Sequence, residues 1–534
     1  MSLYVGLTIG PILDTISEAT APAALWFGST LFSDLARRLR VGVEELAEEE
    51  GIYAPAFDEA DRDQLTGGIG KYHDRIIFKS NKDEQELKRK LDELIAREKD
   101  RTLNMFGEKI YRDRGNEENK FKTFLHRYLQ IHYVILPEDR VGDNNIILAI
   151  SPYLDALELM GTFPADNANN PIARMMSKPG EKMSASYYIK GSELFRQIDS
   201  TGNQFVKSDT DRTSTIRDIE DIAFGMQDAK ETKPEHKYQE YYAVVYADAD
   251  GMGTFLQTLP NEYVPVFSDC CLKYSMEATR IIGDFKGMTI YAGGDDLLFL
   301  SPVKRESKTI FDICGEIAAK FEESLKALED ALKKDERFKE KLPTFPTVSF
   351  GISIQYKKYP LYEALEQARD LLFGKAKHFG GKNCMAIRLE KHSGQSVSFL
   401  VGNECASTFT TILNLPDQYV GPALLKSVGS ALEEQYALIS LMDKNVKEAE
   451  SGAPVYSGWE NLFDNGGQKA AQNFLRKLNE TYYGELVRGQ VRIEEAENKR
   501  PAWIKRNDKE LNALLAILRL MRFFSEKSGR EGAE

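Results

Sequence analysis

The chain has 534 residues, 42% of them hydrophobic and 29% charged, with a formal net charge of −13. That length exceeds one hydrophobic core and predicts about three or four domains. The excess of acid argues against a molecule that grips nucleic acid with its whole surface, so any RNA contact must come from a local patch or through partner subunits.

The first residues predict a strand (Leu3–Ile9), a Gly10-Pro11 break, and helix through Ala24–Phe32. A second break at Gly67-Gly68-Ile69-Gly70 precedes a strand at Arg75–Phe78. From Asp83 to about Ile135 dense mixed charge reads as one long helical run with a solvated face. Pro, Asn, Ser and Gly gather at Phe163–Lys182, as in a loop or insertion between domains. Residues 236–395 alternate strand and helix signals. Beyond about Gly402 helical patterns dominate, at Pro422–Met442, Gln468–Val487 and Asp508–Phe524, before a polar tail at Ser528–Glu534.

No apolar run reaches the roughly 18 residues that cross a bilayer. No basic segment followed by an apolar core marks a signal peptide. The five cysteines form no Cys-x-x-Cys pair and are odd in number, which argues against a disulfide framework or a zinc ribbon and fits a reducing cytoplasm.

The chemistry concentrates between Tyr241 and Leu300. An apolar run, Tyr241–Ala247, ends in Asp248-Ala249-Asp250-Gly251-Met252-Gly253. A second, Met288–Ala292, ends in Gly293-Gly294-Asp295-Asp296. Both runs read as buried strands, and the glycine pair suits a tight hairpin turn. Asp248 and Asp295 are separated by room for one helix and one strand, as in a palm-type βαββ unit. Oxygen ligands of this kind hold Mg²⁺ or Mn²⁺ rather than zinc, and two such ions can clamp a phosphoryl group between attacking and leaving oxygens. Asp248, Asp295 and Asp296 are the expected ligands, helped by Asp250 or the Ala249 carbonyl. Downstream, a helix carrying Lys375 and Lys377 closes on the glycine loop before Lys382. Lys377 is the expected phosphate ligand, with Lys375 and Lys382 behind it; Gly251 and Gly253 let backbone amides approach phosphate oxygens.

Two features read as distractions. His73-Asp74 has no upstream histidine to complete a His-Asp phosphohydrolase site, and the other histidines lack ligand spacing. Cys270-Cys271 lies on a predicted helix and reads as core packing.

Tyr246–Gly253, Tyr291–Asp296 and the stretch from Ser349 to Asn383 resemble the large polymerase/cyclase subunit of type III CRISPR effector complexes. Ile9–Ile16, Leu25–Ser29 and Arg212–Ile219 are similar to the opening segments and palm approach of its III-B (RAMP-module) branch. The resemblance implies an α+β multidomain chain with two ferredoxin-like cyclase palms, the N-terminal one degenerate. The expected division is a degenerate palm at 1–150, a middle domain without zinc cysteines at 151–235, a catalytic palm at 236–400, and a helical domain at 401–534. It also implies ATP as substrate, bound through Gly251, Met252, Gly253, Gly293, Gly294, Ser349 and the lysines. Cyclic oligoadenylate is the default product; some relatives join AMP to S-adenosylmethionine instead. The implied partners are other subunits of the complex and, through them, guide and target RNA. The chain departs from many relatives in starting directly at the degenerate palm, without a His-Asp nuclease domain, and in lacking middle-domain cysteines.

Diguanylate cyclases are the rival. They read guanine with an asparagine eight residues past the first metal aspartate, where this chain has Leu256, which cannot make those hydrogen bonds. A non-catalytic scaffold is the third reading, against which intact Asp248, Asp295 and Asp296 stand.

Overall fold

A computed structural model describes residues 2–17, 19–66, 69–105, 123, 126–142, 144–160, 206–207, 215–216, 218–225, 233–378, 381–419, 422–434, 469–481 and 509–528. The predicted loop at Phe163–Lys182 and most of the expected middle domain lie outside them, as does the end of the polar tail.

The N-terminal part opens with strand β1 (Leu3–Gly10), helices α1 (Ile12–Ser17) and α2 (Pro22–Gly42), strands β2 (Ile52–Ala54) and β3 (Arg75–Ser80), helix α3 (Glu84–Met105), strand β4 (Gln130–Pro137) and helix α4 (Ile146–Leu159). Its sheet runs β2-β3-β1-β4, with β3 and β4 both antiparallel to β1. The sequence predicts helix from Asp83 to about Ile135, but Gln130–Pro137 is a strand. The Ile131-His132-Tyr133-Val134-Ile135 stretch is rich in β-branched and aromatic residues, and it pairs with β1 along its full length.

The central part repeats this plan. It comprises β5 (Tyr241–Asp250), α5 (Met252–Thr258), α6 (Val264–Asp284), β6 (Met288–Gly293), β7 (Asp296–Pro302), α7 (Ile310–Ser324), α8 (Lys326–Lys333), β8 (Thr347–Tyr356) and α9 (Leu361–Asp370). A π-helical turn (Leu371–Ala376) follows, then the hairpin β9 (Cys384–Glu390) and β10 (Ser396–Gly402). The sheet order is β10-β9-β8-β5-β7-β6. Within it β6-β7-β5-β8 matches β2-β3-β1-β4: a first strand flanked by two antiparallel partners, with the second strand beyond the third. The chain thus holds two βαββαβ palms, and only the second carries carboxylates at the end of its first strand. Strand β10, which pairs antiparallel with β9, was not foreseen.

The palms share cores. Val244, Leu298 and Leu300 from one face of the central sheet pack with Leu25, Trp26 and Phe32 of α2. The opposite face, through Val245, Ala247 and Phe299, packs on Phe267 and Tyr274 of α6 and Phe321 of α7. Each such large side chain taken from water contributes about 1.5–3 kcal/mol. Helix α2 is buried along nearly its whole length because it lies between the two sheets. Its buried Arg38 is neutralised by Asp34 at 2.9 Å and Glu98 at 2.6 Å. Toward the C-terminus come α10 (Ala406–Tyr419), α11 (Pro422–Glu434), α12 (Lys469–Thr481) and α13 (Lys509–Ser525), where the sequence expects helix. Among the described residues no helix is long and apolar enough to cross a membrane.

Candidate functional site

Strand pairing brings the carboxylates together. Ala247 of β5 faces Leu297 of β7, so one further step of that antiparallel register sets Asp248 opposite Asp296. Gly293 pairs with Asp296 to close the β6–β7 hairpin, leaving Gly294 and Asp295 as its tip, with Gly294 at φ +68°. Gly251, at φ +74°, ends β5 and admits helix α5; that backbone region carries little penalty only for glycine. Alternation along β5 and β7 puts Asp248 and Asp296 on one face, with Tyr246 and Leu298.

Asp250 is held differently. Its carboxylate is 4% exposed, and Oδ2 accepts from Ser349 Oγ at 2.7 Å, Thr347 Oγ1 at 3.0 Å and the Asn383 backbone N–H at 2.9 Å. Its Oδ1 is buried with no hydrogen-bond partner. Ser349, expected to touch nucleotide, is fully buried and serves Asp250 instead. Asn403 braces the loop, donating to Val348 O at 2.7 Å and Asn383 Oδ1 at 2.8 Å.

Lys377 follows the π-helical turn, which packs closely on β8 because Gly351 leaves room: a Cβ there would sit 2.1 Å from the Ala368 carbonyl and 2.5 Å from the Leu372 nitrogen. The Lys377 ammonium pairs with the Asp248 carboxylate and donates to the Ala249 carbonyl at 2.8 Å. Burial, then the charge of Lys382, lowers it to about 8, which leaves it largely charged at neutral pH. Lys375 and Lys382 are exposed. Gly253 is exposed too, and nothing lies within 4 Å of where its Cβ would be.

Two cavities adjoin the β6–β7 hairpin. One, of about 380 Å³, is lined by Gly293, Gly294, Asp295, Met252, Leu256 and Cys271. The other, of about 510 Å³, is walled by Tyr246, Tyr291, Tyr362 and Phe373, with Arg369 and Glu366. Asp296 and Asp74 line both. Asp295 is pushed above the usual carboxylate range by burial, against its own backbone hydrogen bond. Asp296 is driven well above it by burial, then by Asp295 and Asp74. Its surface remains open to the cleft, so the neighbouring negative charges carry more of that shift than burial does. The Asp74 carboxyl is itself raised to about 6, chiefly by burial, and His73 is lowered to about 4 by burial and Arg75.

Reading residues alone set His73-Asp74 aside and missed Asn383 and Asn403. No local signal marks them; only the docking of the residue 69–74 segment on β6, through Ala292 N–H to Gly70 O at 2.8 Å, brings Asp74 to the turn. Cys270 and Cys271 are buried on α6, as expected.

Among the described residues no three His, Cys, Asp or Glu side chains stand arranged to hold a metal ion. The donor chemistry nevertheless fits a hard divalent cation. A cationic group already rests on Asp248 and the Ala249 carbonyl, Asp250 Oδ1 is an orphaned buried oxygen, and the charges of Asp295 and Asp74 raise Asp296.

Residues 241–386 match the Cas10/Cmr2 second palm domain family. The CRISPR system Cmr subunit Cmr2 of Pyrococcus furiosus is 32% identical over 196 residues, covering 32% of this chain and 21% of that protein; the match thus spans about a fifth of the curated relative. Among solved structures, the apo type III-B Cmr-beta complex has a chain of similar fold, with TM-score 0.55 and 11% identity over 97% of this chain and 81% of that one. Cmr-beta bound to cognate target RNA has another, with TM-score 0.50 and 11% identity over 98% and 83%.

Proposed function

We propose, from the premise that this chain is a Cmr2 homologue carrying a Cas10/Cmr2 second palm domain, that it is the nucleotidyltransferase subunit of a type III CRISPR antiviral complex. In this reading it works in the cytoplasm and makes an adenylate second messenger from ATP when target RNA pairs with the guide. The observation that carries the reading is the β5–β7 register, which sets Asp248, paired with Lys377, opposite Asp296, and Asp296 lines both cavities.

The reaction joins a substrate hydroxyl oxygen to the α-phosphorus of a second ATP. The α–β phosphoanhydride bond breaks, pyrophosphate leaves, and the hydroxyl proton passes to solvent. Two Mg²⁺ or Mn²⁺ ions, held by Asp248, Asp295, Asp296, the Ala249 carbonyl and Asp250 Oδ1, would supply charge stabilisation to the transferring phosphoryl group. Lys377 moves from Asp248 to phosphate oxygens as a point charge. Asp250, tied to Ser349, Thr347 and Asn383, fixes the end of β5 against the Lys377 loop. The aromatic walls of the larger cavity suit a purine ring. Leu256, lining the smaller cavity, offers no hydrogen bond to guanine, which disfavours the diguanylate-cyclase alternative.

Partner subunits carry guide RNA, and target pairing raises palm activity by shifting a conformational equilibrium. The test is chromatography of products from ATP, with and without S-adenosylmethionine, using the assembled complex with matched and mismatched target RNA. A new phosphodiester only with matched target supports the reading. RNA-independent synthesis by the isolated chain would point to a free-standing cyclase, and no product at all to a scaffold.

A further inference from the structure

Both palms wall the smaller cavity. The N-terminal palm supplies Pro55, Ile77 and Ile147, the central palm supplies Leu256 and Phe267, and Asp295 and Asp296 line the same space. The cations Lys71 and Arg75 in its wall are already engaged. Lys71 pairs with Asp61 at 3.1 Å and Asp58 at 3.5 Å, and Arg75 pairs with Asp155 and Glu158. A largely apolar pocket whose cations are neutralised suits a flat ring with a few polar atoms better than a free phosphate group.

His73 is the polar group in this wall that the carboxylate chemistry leaves unused. Its Nδ1 accepts from the Arg75 backbone N–H at 3.3 Å, so in the neutral ring the proton sits on Nε2. Burial, then the charge of Arg75, lowers the ring to about 4, which leaves it neutral at physiological pH. Cδ2, the ring carbon bonded to Nε2, lies 3.5 Å from where a Cβ on Gly294 would be. That edge of the ring is therefore turned to the tip of the β6–β7 hairpin, one residue before Asp295. Among the described residues Nε2 has no hydrogen-bond partner.

A neutral N–H in an apolar wall fits an uncharged acceptor with its lone pair in the plane of a ring. In ATP the adenine nitrogens N1, N3 and N7 are such acceptors, whereas charged phosphate oxygens are held best by ammonium and guanidinium groups. Transfer between two ATP molecules also needs two base sites, and Asp296 lines two cavities.

We propose that His73 reads the base of the nucleotide in the smaller cavity, donating from Nε2 to a ring nitrogen of adenine. The inference rests on the nucleotidyl-transfer reading and gives the N-terminal palm a part in substrate recognition.

The test is isothermal titration calorimetry of the full chain with ATP and with 1-deaza-, 3-deaza- and 7-deaza-ATP, each of which replaces one ring nitrogen by C–H. Ca²⁺ is used in place of Mg²⁺, so that nucleotide binds without being consumed. The variants are His73→Ala and His73→Gln, the second keeping an N–H donor near the position of Nε2, with thermal melting to establish folding. The parent should bind one of the three analogues about fivefold more weakly than ATP, the loss of a single hydrogen bond. His73→Ala should bind ATP more weakly by the same factor and show no further loss on that analogue, and His73→Gln should recover most of the ATP affinity. Undiminished ATP binding by folded His73→Ala, or an equal loss on ATP and all three analogues, would overturn the inference and leave the transfer reading standing. No ATP binding by the parent would overturn both.

Discussion

Lys377 reaches from the π-helical turn to the end of the central strand, where it pairs with Asp248. The same ammonium donates to the next carbonyl, Ala249 O, at 2.8 Å. One cation thus bridges the two oxygens expected to hold another. In the proposed reaction Lys377 balances the negative end of β5 before ATP binds and then follows the charge onto the triphosphate.

Replacing Lys377 with Ala should therefore weaken nucleotide binding more than it harms folding. A charge-assisted hydrogen bond is worth about 1.5–3 kcal/mol, so KM for ATP should rise at least about tenfold. Steady-state kinetics at several ATP concentrations check this; an unchanged KM would remove Lys377 from the phosphate site.

The pH dependence has a definite sign. With its ammonium lowered to about 8, Lys377 is charged below that pH and loses its proton above it, so ATP affinity should fall as pH rises through about 8. Lys377→Arg keeps its charge throughout and should flatten the profile. The same fall in both proteins would assign it to another group.

Much of this was legible in the sequence. The run Tyr241–Ala247 is apolar, ends in carboxylates and glycines, and became the central strand; Gly293-Gly294-Asp295-Asp296 became the hairpin turn. Both signals are local, carried by β-branched residues and by glycine's access to positive φ. The roles of Ser349 and Asp250 were not legible, because the bond between them depends on β5–β8 pairing across nearly a hundred residues. The position of Asp74 was not legible for the same reason. Its neighbours in sequence offer no ligand pattern, while its neighbours in space are Asp296 and Tyr291.

Asp250→Ala should damage stability rather than chemistry alone. It strands three donors that now share one buried oxygen, and each unsatisfied buried group costs about 1–3 kcal/mol. A loss of about 3 kcal/mol in urea denaturation is expected, against about 1 kcal/mol for Ser349→Ala. Parental stability in Asp250→Ala would mean that the carboxylate is not the anchor of this strand end.

Gly70 is where the N-terminal palm touches the β6–β7 hairpin. A Cβ there would lie 2.2 Å from Ser29 Oγ and 2.9 Å from Tyr291 Cδ2, disturbing the Ser29 hydrogen bond to Ile290 O at 2.6 Å. Overpacking of this kind costs about 1–3 kcal/mol. Gly70→Val should lower both melting temperature and synthesis with all carboxylates intact; parental activity would show that the hairpin needs no such support.

The central claim is nucleotidyl transfer at Asp248, Asp295 and Asp296, and label tracing tests it most directly. The assembled complex with matched target RNA is given ATP labelled at either the α- or the γ-phosphate, in parent and Asp295→Ala/Asp296→Ala forms. The account predicts α-label in a new phosphodiester and γ-label in pyrophosphate for the parent, with neither in the folded double variant. Release of γ-label as inorganic phosphate with no α-labelled product, or synthesis at the parental rate by the variant, would contradict it.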